Sequence, residues 1–262
     1  MKCTNVLVFL ITWIICSLMP SKWLIWWLIL FYLFFSGGQS EVTFNYDNQC
    51  LDAVWLAASP SIGDADPERD PGTLEIFFTP DEWTGSIWAR TKCTNNASYY
   101  FSCETGDCGS GTIECQSPPP TYPVTLLNFS INQSVVSYEV SLNHGHNIGV
   151  RIQPIGGSLV DGTGPCPVVD CVADLSNVCP ANLVATNKDG LYVGCYSACD
   201  ALKDPKYCCT GDYSSPQTCQ PNEYSTRFKN LCNLAHTYPG DNQPPIYNCR
   251  GAEKYYITFC PK

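Results

Sequence analysis

Short runs in which apolar and polar residues alternate recur along the chain from residue 41 onward. The first, EVTFNYDN at 41–48, is rich in aromatic and β-branched residues, which is typical of a strand that buries one face. Only STRFKNLC at 225–232 favours a short helix, and no long helical period precedes residue 170. The pattern therefore predicts a mainly β protein built as a β-sandwich. Seven further strands are predicted at LDAVWLAAS, GTLEIFF, GSIWART, VTLLNFSI, VVSYEVSL, NIGVRIQPI and KYYITFC.

Residues 1–40 differ from the rest of the chain because they contain no Asp or Glu and consist mostly of apolar residues. Their second apolar run, WLIWWLILFYLFF, has 13 residues, too few to span a bilayer comfortably and typical of a signal-peptide core. The small residues Gly38 and Ser40 predict cleavage after Ser40, and Met19 offers an alternative start. The alternative interpretation is an uncleaved membrane anchor that uses both apolar runs, within residues 5–35.

Cleavage would leave 222 residues, which suffice for one large domain at 41–262. All 24 acidic residues remain with 12 Lys and Arg, so the formal charge becomes 12 − 24 = −12. This balance argues against nucleic-acid binding, because neutralising phosphates requires clustered basic residues.

Cysteine usage identifies the compartment and the cross-links. Cys3 and Cys16 fall in the predicted signal peptide, and the 16 that remain are an even number, as expected for a secreted disulfide framework. Zinc is the competing interpretation, but the chain has no CxxC, and His144, His146 and His236 do not flank cysteines at ligand spacing. We therefore predict eight disulfides, no metal and no cofactor; the spacing alone leaves the pairing open.

A glycine-containing motif, CETGDCGSGTIEC at 103–115, stands among several local matches to one family: VWLAASP, IWARTKC, CVADLSNVCP, YCCTGDY and FCP. On these residues the chain resembles the thaumatin-like proteins, which are the pathogenesis-related family 5 of plants and belong to the osmotin/thaumatin superfamily. The resemblance covers residues 41–262, and all sixteen cysteines align in order.

The resemblance implies a flattened β-sandwich with two disulfide-rich lobes, a small one at about 92–118 and a larger one at about 166–232. A cleft is implied between the sandwich and the larger lobe. The implied pairing is Cys50–Cys260, Cys93–Cys103, Cys108–Cys115, Cys166–Cys249, Cys171–Cys232, Cys179–Cys195, Cys199–Cys208 and Cys209–Cys219.

Many members of the family line that cleft with an Arg, a Glu and three Asp, an arrangement linked to antifungal action and, in some, to weak hydrolysis of β-1,3-glucan. Carried over one at a time, these positions fall here on Ser86, Asn128, Glu139, His144 and Asp241. Glycoside hydrolysis needs two carboxyl groups, one to donate a proton and one to activate water or attack. Because the implied acid/base pair is now Asn128 and His144, we predict little or no glucanase activity.

Three N-glycosylation sequons begin at Asn96, Asn128 and Asn132. Asn96 is expected in a loop and is favoured, whereas a glycan on Asn128 would cap the cleft. Asp107, within the TGDC motif, is interpreted as a turn former that satisfies backbone N–H groups.

The prediction that follows is a secreted, monomeric defence protein of the apoplast or cell wall that performs no catalysis. Its expected partner is β-glucan or another cell-wall polysaccharide, or else a membrane or receptor target. Two alternatives stay open: a weak endo-β-1,3-glucanase that uses Glu139 and Asp241, and an extracellular module anchored in the membrane by residues 5–35.

Overall fold

The computed structural model describes residues 42–63, 68–95, 99–115 and 118–262. The predicted signal peptide with its cleavage after Ser40, the alternative start at Met19, and the sequon residue Asn96 lie outside the described residues. Within those residues, none of the helices has both the length and the apolar character needed to cross a membrane.

Strands dominate the described part of the chain, and the helices are short and lie late in the sequence. The strands are β1 Thr43–Asn48, β2 Val54–Ser59, β3 Glu68–Arg69, β4 Leu74–Phe78, β5 Glu82–Asn95, β6 Phe101–Thr105, β7 Leu126–Asn132, β8 Val135–Ser141, β9 Val150–Leu159, β10 Val169–Cys171, β11 Val184–Thr186, β12 Tyr192–Cys195, β13 Ala235–His236 and β14 Tyr247–Phe259. The helices are α1 Ala198–Leu202, α2 Pro205–Cys208, a 3-10 turn Gly211–Tyr213, and α3 Glu223–Leu231.

Helix α3 starts two residues before the predicted run because Asn222 caps it. The Asn222 side chain accepts hydrogen bonds from the backbone N–H groups of Tyr224 and Ser225, each at 3.0 Å. The hydroxyl of Ser225 in turn accepts from the N–H of Asn222 at 2.9 Å, which completes a capping box. This capping box is a strong local signal for the start of the helix.

Twelve strands join in one branched sheet with the order β10-β9-β14-β8-β7-β5-β2-β3. Strand β1 pairs with β14 in parallel and with β4 antiparallel, β13 pairs with β8, and β6 pairs with β5. Strands β11 and β12 form a separate pair. The long β14 is the junction, because its first residues pair with β8 and its last residues pair with β1.

The sheet curls so that strands which never pair face each other across a core of aromatic rings. Phe44 of β1 lies with its ring centroid 4.6 Å from that of Phe129 of β7. Tyr255 of β14 packs edge-on against Phe44, and also against Tyr138 of β8 with the ring centroids 5.7 Å apart. All four side chains are buried. The mainly β, thaumatin-like sandwich predicted from the sequence is confirmed.

Eight disulfides are formed, in the pairing that the family resemblance implies. Cys50–Cys260 joins the residues that follow the C-terminal ends of the parallel strands β1 and β14. Asp107 acts as the predicted turn former, since its carboxylate accepts the N–H of Cys103 at 2.6 Å and of Gly109 at 2.5 Å.

Candidate functional site

Three cleft positions predicted from the resemblance lie side by side on the sheet. Strands β5, β7 and β8 are antiparallel, and their register sets Ser86 opposite Asn128 and Asn128 opposite Glu139. The Ser86 hydroxyl donates to Asn128 Oδ1 at 2.6 Å, and Asn128 Nδ2 donates to Glu139 Oε1 at 2.6 Å. The side chains therefore form one hydrogen-bonded row across three strands, here called the cleft row.

His236 extends the cleft row on the far side of Glu139. It lies on β13, which runs parallel to β8, and its Nδ1 is 2.8 Å from Glu139 Oε2. Its Nε2 donates to the carbonyl of Pro244 at 2.6 Å. Because both ring nitrogens face acceptors, the site favours the doubly protonated imidazolium.

In this pair, the pKa of the acid Glu139 is lowered and the pKa of the base His236 is raised. Burial lowers the pKa of His236, but its hydrogen bonds and its attraction to Glu139 outweigh burial, so the pKa is raised above its ordinary value. Burial raises the pKa of Glu139, but the hydrogen bonds from His236 and Asn128 outweigh it and hold the pKa below its ordinary value. Glu139 and His236 are thus a buried, mutually neutralising ion pair.

Asp241, the last predicted cleft position, has both carboxylate oxygens occupied. Oδ2 accepts the N–H of Thr237 at 2.8 Å and lies 2.6 Å from Lys229 Nζ of α3, while Oδ1 accepts the N–H of Gln243 at 3.1 Å. Lys229 also donates to the carbonyl groups of Ala235 and Gln243. The Asp241 side chain is only 5% exposed, so this carboxylate acts as an anchor for the loop.

His144 lies beyond the end of β8 and is separate from the cleft row. Its ring stacks on Tyr122, with centroids 4.0 Å apart and planes inclined by 9°. Its Nδ1 is 2.9 Å from Asp200 Oδ2, which also accepts the hydroxyl of Ser197, the N-cap residue of α1. The carboxylate partner of His144 is therefore Asp200 of the larger lobe and not Glu139 of the cleft row.

Burial raises the pKa of Asp200, but hydrogen bonds and attraction from His144, Ser197 and Lys203 outweigh it, so the pKa is lowered. The three acids of the site, Glu139, Asp200 and Asp241, therefore each face a basic side chain. A small pocket of about 10 Å³ lies between the end of β8 and the larger lobe, and its lining includes Ser197 and Thr237, which hydrogen-bond to Asp200 and Asp241.

Sequence reasoning missed His236, Asp200 and Lys229, which supply the partners of the predicted positions. All three come from segments outside the long strands, so no strand alternation marks them. The one available signal was the position of His236, five residues before Asp241.

His144 and His146 lie two residues apart in the sequence, but they have different surroundings. His146 is 4% exposed, and burial lowers its pKa to about 4. Among the described residues, no group of three or more His, Cys, Asp or Glu side chains is placed to hold a metal ion.

The sequons at Asn128 and Asn132 also differ in their surroundings. The amide of Asn128 is committed to Ser86 and Glu139, as described above. Asn132 is exposed at the end of β7, and its side chain has no hydrogen-bond partner in the part of the chain that the structure describes.

Comparison with known proteins places the chain in a family. A model of the Thaumatin family matches residues 48–261. Thaumatin-like protein 1a of Malus domestica is 38% identical over 89% of this chain and 96% of its own length. A glucan endo-1,3-beta-glucosidase of Prunus avium is 36% identical over 86% of this chain and 93% of its own length.

A solved structure of a GH family 64 laminaripentaose-producing beta-1,3-glucanase from Paenibacillus barengoltzii aligns with a TM-score of 0.50. Its identity is 9%, and the alignment covers 84% of this chain and 75% of that one, so the likeness concerns the fold alone. The family match over most of the chain, the two relatives and the eight disulfides agree: the chain belongs to the thaumatin family.

Proposed function

We propose that this protein is a secreted, pathogenesis-related defence protein that binds an uncharged cell-wall polysaccharide in its cleft without cleaving it. The observation that carries the proposal is the pairing of every acid in the site with a base: Glu139 with His236, Asp200 with His144, and Asp241 with Lys229.

Hydrolysis of a glycosidic bond calls for a protonated carboxyl group of raised pKa on one side of the bond. The pKa of Glu139 is instead lowered, so this carboxyl is ionised at the pH where a general acid must hold its proton. A second carboxylate must have a free oxygen to attack carbon or activate water, whereas both oxygens of Asp241 already accept hydrogen bonds. These features support binding without catalysis.

The chemistry of the cleft favours a neutral ligand. Ser86 and Asn128 keep hydrogen-bonding capacity beyond the bonds of the cleft row, namely the lone pairs of the Ser86 hydroxyl and the second N–H of the Asn128 amide, and these match the hydroxyl groups of a sugar chain. The paired charges leave little net field to attract a strongly charged polymer. Secretion is supported by the eight disulfides, since such cross-links form and persist in oxidising compartments.

Retention of the purified protein on insoluble β-1,3-glucan, chitin and cellulose tests the proposal. Ser86→Trp should reduce retention strongly, because it places a large ring in the cleft row. Thr84→Trp is the matched control, since Thr84 lies on the same strand and face one row farther away. Failure of the wild type to bind any of the three polymers would refute the proposal.

A second candidate is a weak endo-β-1,3-glucanase that uses Glu139 and Asp241, and the relative from Prunus avium that bears such a name favours it. Release of reducing ends from laminarin measures this activity. Turnover by the wild type that disappears in both Glu139→Gln and Asp241→Asn would establish the glucanase.

A third candidate keeps the same binding site on a protein held in the membrane by residues 5–35. Amino-terminal sequencing of the secreted protein separates it from the first. A mature chain that starts at Glu41 supports cleavage of the signal peptide and excludes the anchor.

A further inference from the structure

We propose that Asn132 carries an N-linked glycan whose first sugars lie along the outer face of the β7–β8 hairpin. This face is formed by the outward side chains of Ser130, Ser137, Val135 and Arg250, and is here called the hairpin face. The hairpin face continues the sheet face that carries the cleft row, because Ser130 lies two residues from Asn128 and Ser137 two residues from Glu139. The proposal concerns a modification site, and its test does not require the cleft to bind a ligand.

Asn132 has the geometry of an accessible glycan acceptor. It is the last residue of β7 and pairs with Val135, so the two residues between them form the tight turn of the hairpin. Gln133, in that turn, has a φ of 54°. The amide of Asn132 points outward on the same face as Ser130, and it is exposed.

The other described sequon residue, Asn128, is unsuited to carry a glycan in the folded protein. Its Nδ2, the atom that would bear the sugar, donates to Glu139 at 2.6 Å, and its Oδ1 accepts from Ser86 at 2.6 Å. A sugar on this nitrogen would have to fit inside a half-buried row between two strands. Of these two sequon residues, we therefore predict that Asn132 carries a glycan and that Asn128 does not.

The hairpin face offers a surface for the sugars next to Asn132. It contains an open depression of about 550 Å³ whose lining includes Ser130, Ser137 and Arg250, a volume within the range of about 300–1,000 Å³ typical of small-ligand sites. Its hydroxyl groups are held in place, since Ser130 Oγ lies 2.8 Å from Thr84 Oγ1 and Ser137 donates to Asn248 at 2.6 Å. Hydroxyl and guanidinium groups are suitable partners for sugar hydroxyls.

The modification is a group transfer from a polyprenyl-pyrophosphate-linked oligosaccharide. A bond forms between Asn132 Nδ2 and the anomeric carbon of the first sugar, and the bond from that carbon to the pyrophosphate oxygen breaks. The amide nitrogen loses one proton, and the lipid pyrophosphate is the leaving group.

Site occupancy is measured by peptide mapping and intact mass of the full chain, expressed in a eukaryotic secretory host and recovered from the medium. The peptide with Asn132 should carry the glycan in the wild type and lose it in Ser134→Ala, which destroys only that sequon. Ser130→Ala, which destroys the sequon of Asn128, should leave the total glycan mass unchanged. An unmodified Asn132 in the recovered wild-type protein would overturn the proposal.

Hydroxyl-radical footprinting tests where the glycan lies. Val135 should be labelled at least twofold less in the wild type that carries the Asn132 glycan than in Ser134→Ala, which lacks that glycan. Leu74, which is 54% exposed on β4, should be labelled equally in both proteins. Equal labelling of Val135 in the two proteins would show that the sugars extend away from the hairpin face and would overturn that part of the proposal.

Discussion

Asn128 occupies the centre of the cleft row, and its amide suits both neighbours. Its oxygen accepts from Ser86 and its nitrogen donates to Glu139. A carboxylate at this position could also accept the hydrogen bond from Ser86. It could not donate one to Glu139, because an ionised carboxylate only accepts hydrogen bonds. The amide at this position is therefore what allows Glu139 to remain ionised beside it.

Asn128→Glu should place two carboxylates in contact, so one of them takes up a proton and its pKa rises. We expect a loss of about 1–3 kcal/mol in unfolding free energy at pH 7 and a smaller loss near pH 4, where that proton is bound. Urea unfolding at the two pH values measures this. Asn128→Gln is the uncharged control, and an equal loss at both pH values in Asn128→Glu would contradict the explanation.

The Glu139–His236 pair predicts a window of pH in which it contributes most to stability. The raised pKa of His236 means that its contribution is full below its ordinary value of 6.5 and is lost as pH rises through the folded value. The lowered pKa of Glu139 means that its contribution is full above 4.5 and is lost as pH falls through the folded value. Both contributions are complete between these two ordinary values.

His236→Gln should therefore lower the unfolding free energy most between pH 4.5 and 6.5, by about 2 kcal/mol, and less on either side. Thermal unfolding across pH 3–9 gives the profile. His144→Gln is the control, because Asp200 keeps Ser197 and Lys203 as partners after that change. A loss from His236→Gln that is constant across the range would rule out the ion pair as its cause.

The backbone of β5 at Gly85 lies so close to neighbouring atoms that there is no room for a side chain. A Cβ added at Gly85 would lie 2.5 Å from the Ser59 carbonyl oxygen and 2.7 Å from the ring of Trp83. These contacts are too close for a side chain, so the backbone there could accept one only by moving. Gly85 sits directly between Thr84 and Ser86 and so fixes the position of the cleft row.

Gly85→Ala should destabilise the protein by about 1–3 kcal/mol through overpacking. Gly164→Ala is the control, because an added Cβ there meets no atom within 4 Å. Chemical denaturation of both variants is the measurement. A Gly85→Ala protein as stable as the wild type would show that this contact relaxes freely.

Which elements the sequence reveals depends on their length. Strands such as β7 and β8 alternate over seven residues, so their pattern alone locates them. Strands β3 and β13 contain two residues each, and β10 and β11 three, which is too few to show a period. Strands β3, β10 and β13 form beside longer strands, which supply their hydrogen-bond partners, and β11 pairs only with β12.

The residues of the site also divide into those on long strands, which the sequence locates, and those in other segments, which it does not. The residues on long strands, Ser86, Asn128 and Glu139, could be aligned through the family resemblance. The basic partner of Glu139, His236, lies just after the cysteines of the larger lobe, and Lys229, the partner of Asp241, lies between two of them. The approach of those segments is set by cross-links and by the fold as a whole, so the ion pairs could not be anticipated from local pattern.

The disulfides should contribute unequally to the stability of the whole molecule. Cys50–Cys260 joins residues 210 apart in sequence, whereas Cys108–Cys115 joins residues 7 apart. A bridge that closes a longer loop restricts the unfolded chain more, with typical losses of about 2–5 kcal/mol on removal. We expect the Cys50→Ala/Cys260→Ala protein to unfold at lower urea concentration than Cys108→Ala/Cys115→Ala. The reverse order would mean that native contacts around the short bridge dominate.

Strand β14 is synthesised after every other strand of the sheet, yet one of its edges pairs first with β8 and then with β1, while β9 occupies the other edge. A ribosome-bound chain that ends before Tyr247 consequently lacks the strand that closes the sandwich, and β1, which can already pair with β4, must wait for its second partner some two hundred residues downstream. The Cys50–Cys260 bridge, which joins the residues that follow these two strands, therefore forms only after β14 has been made, whereas Cys108–Cys115 can close as soon as its own short loop has emerged.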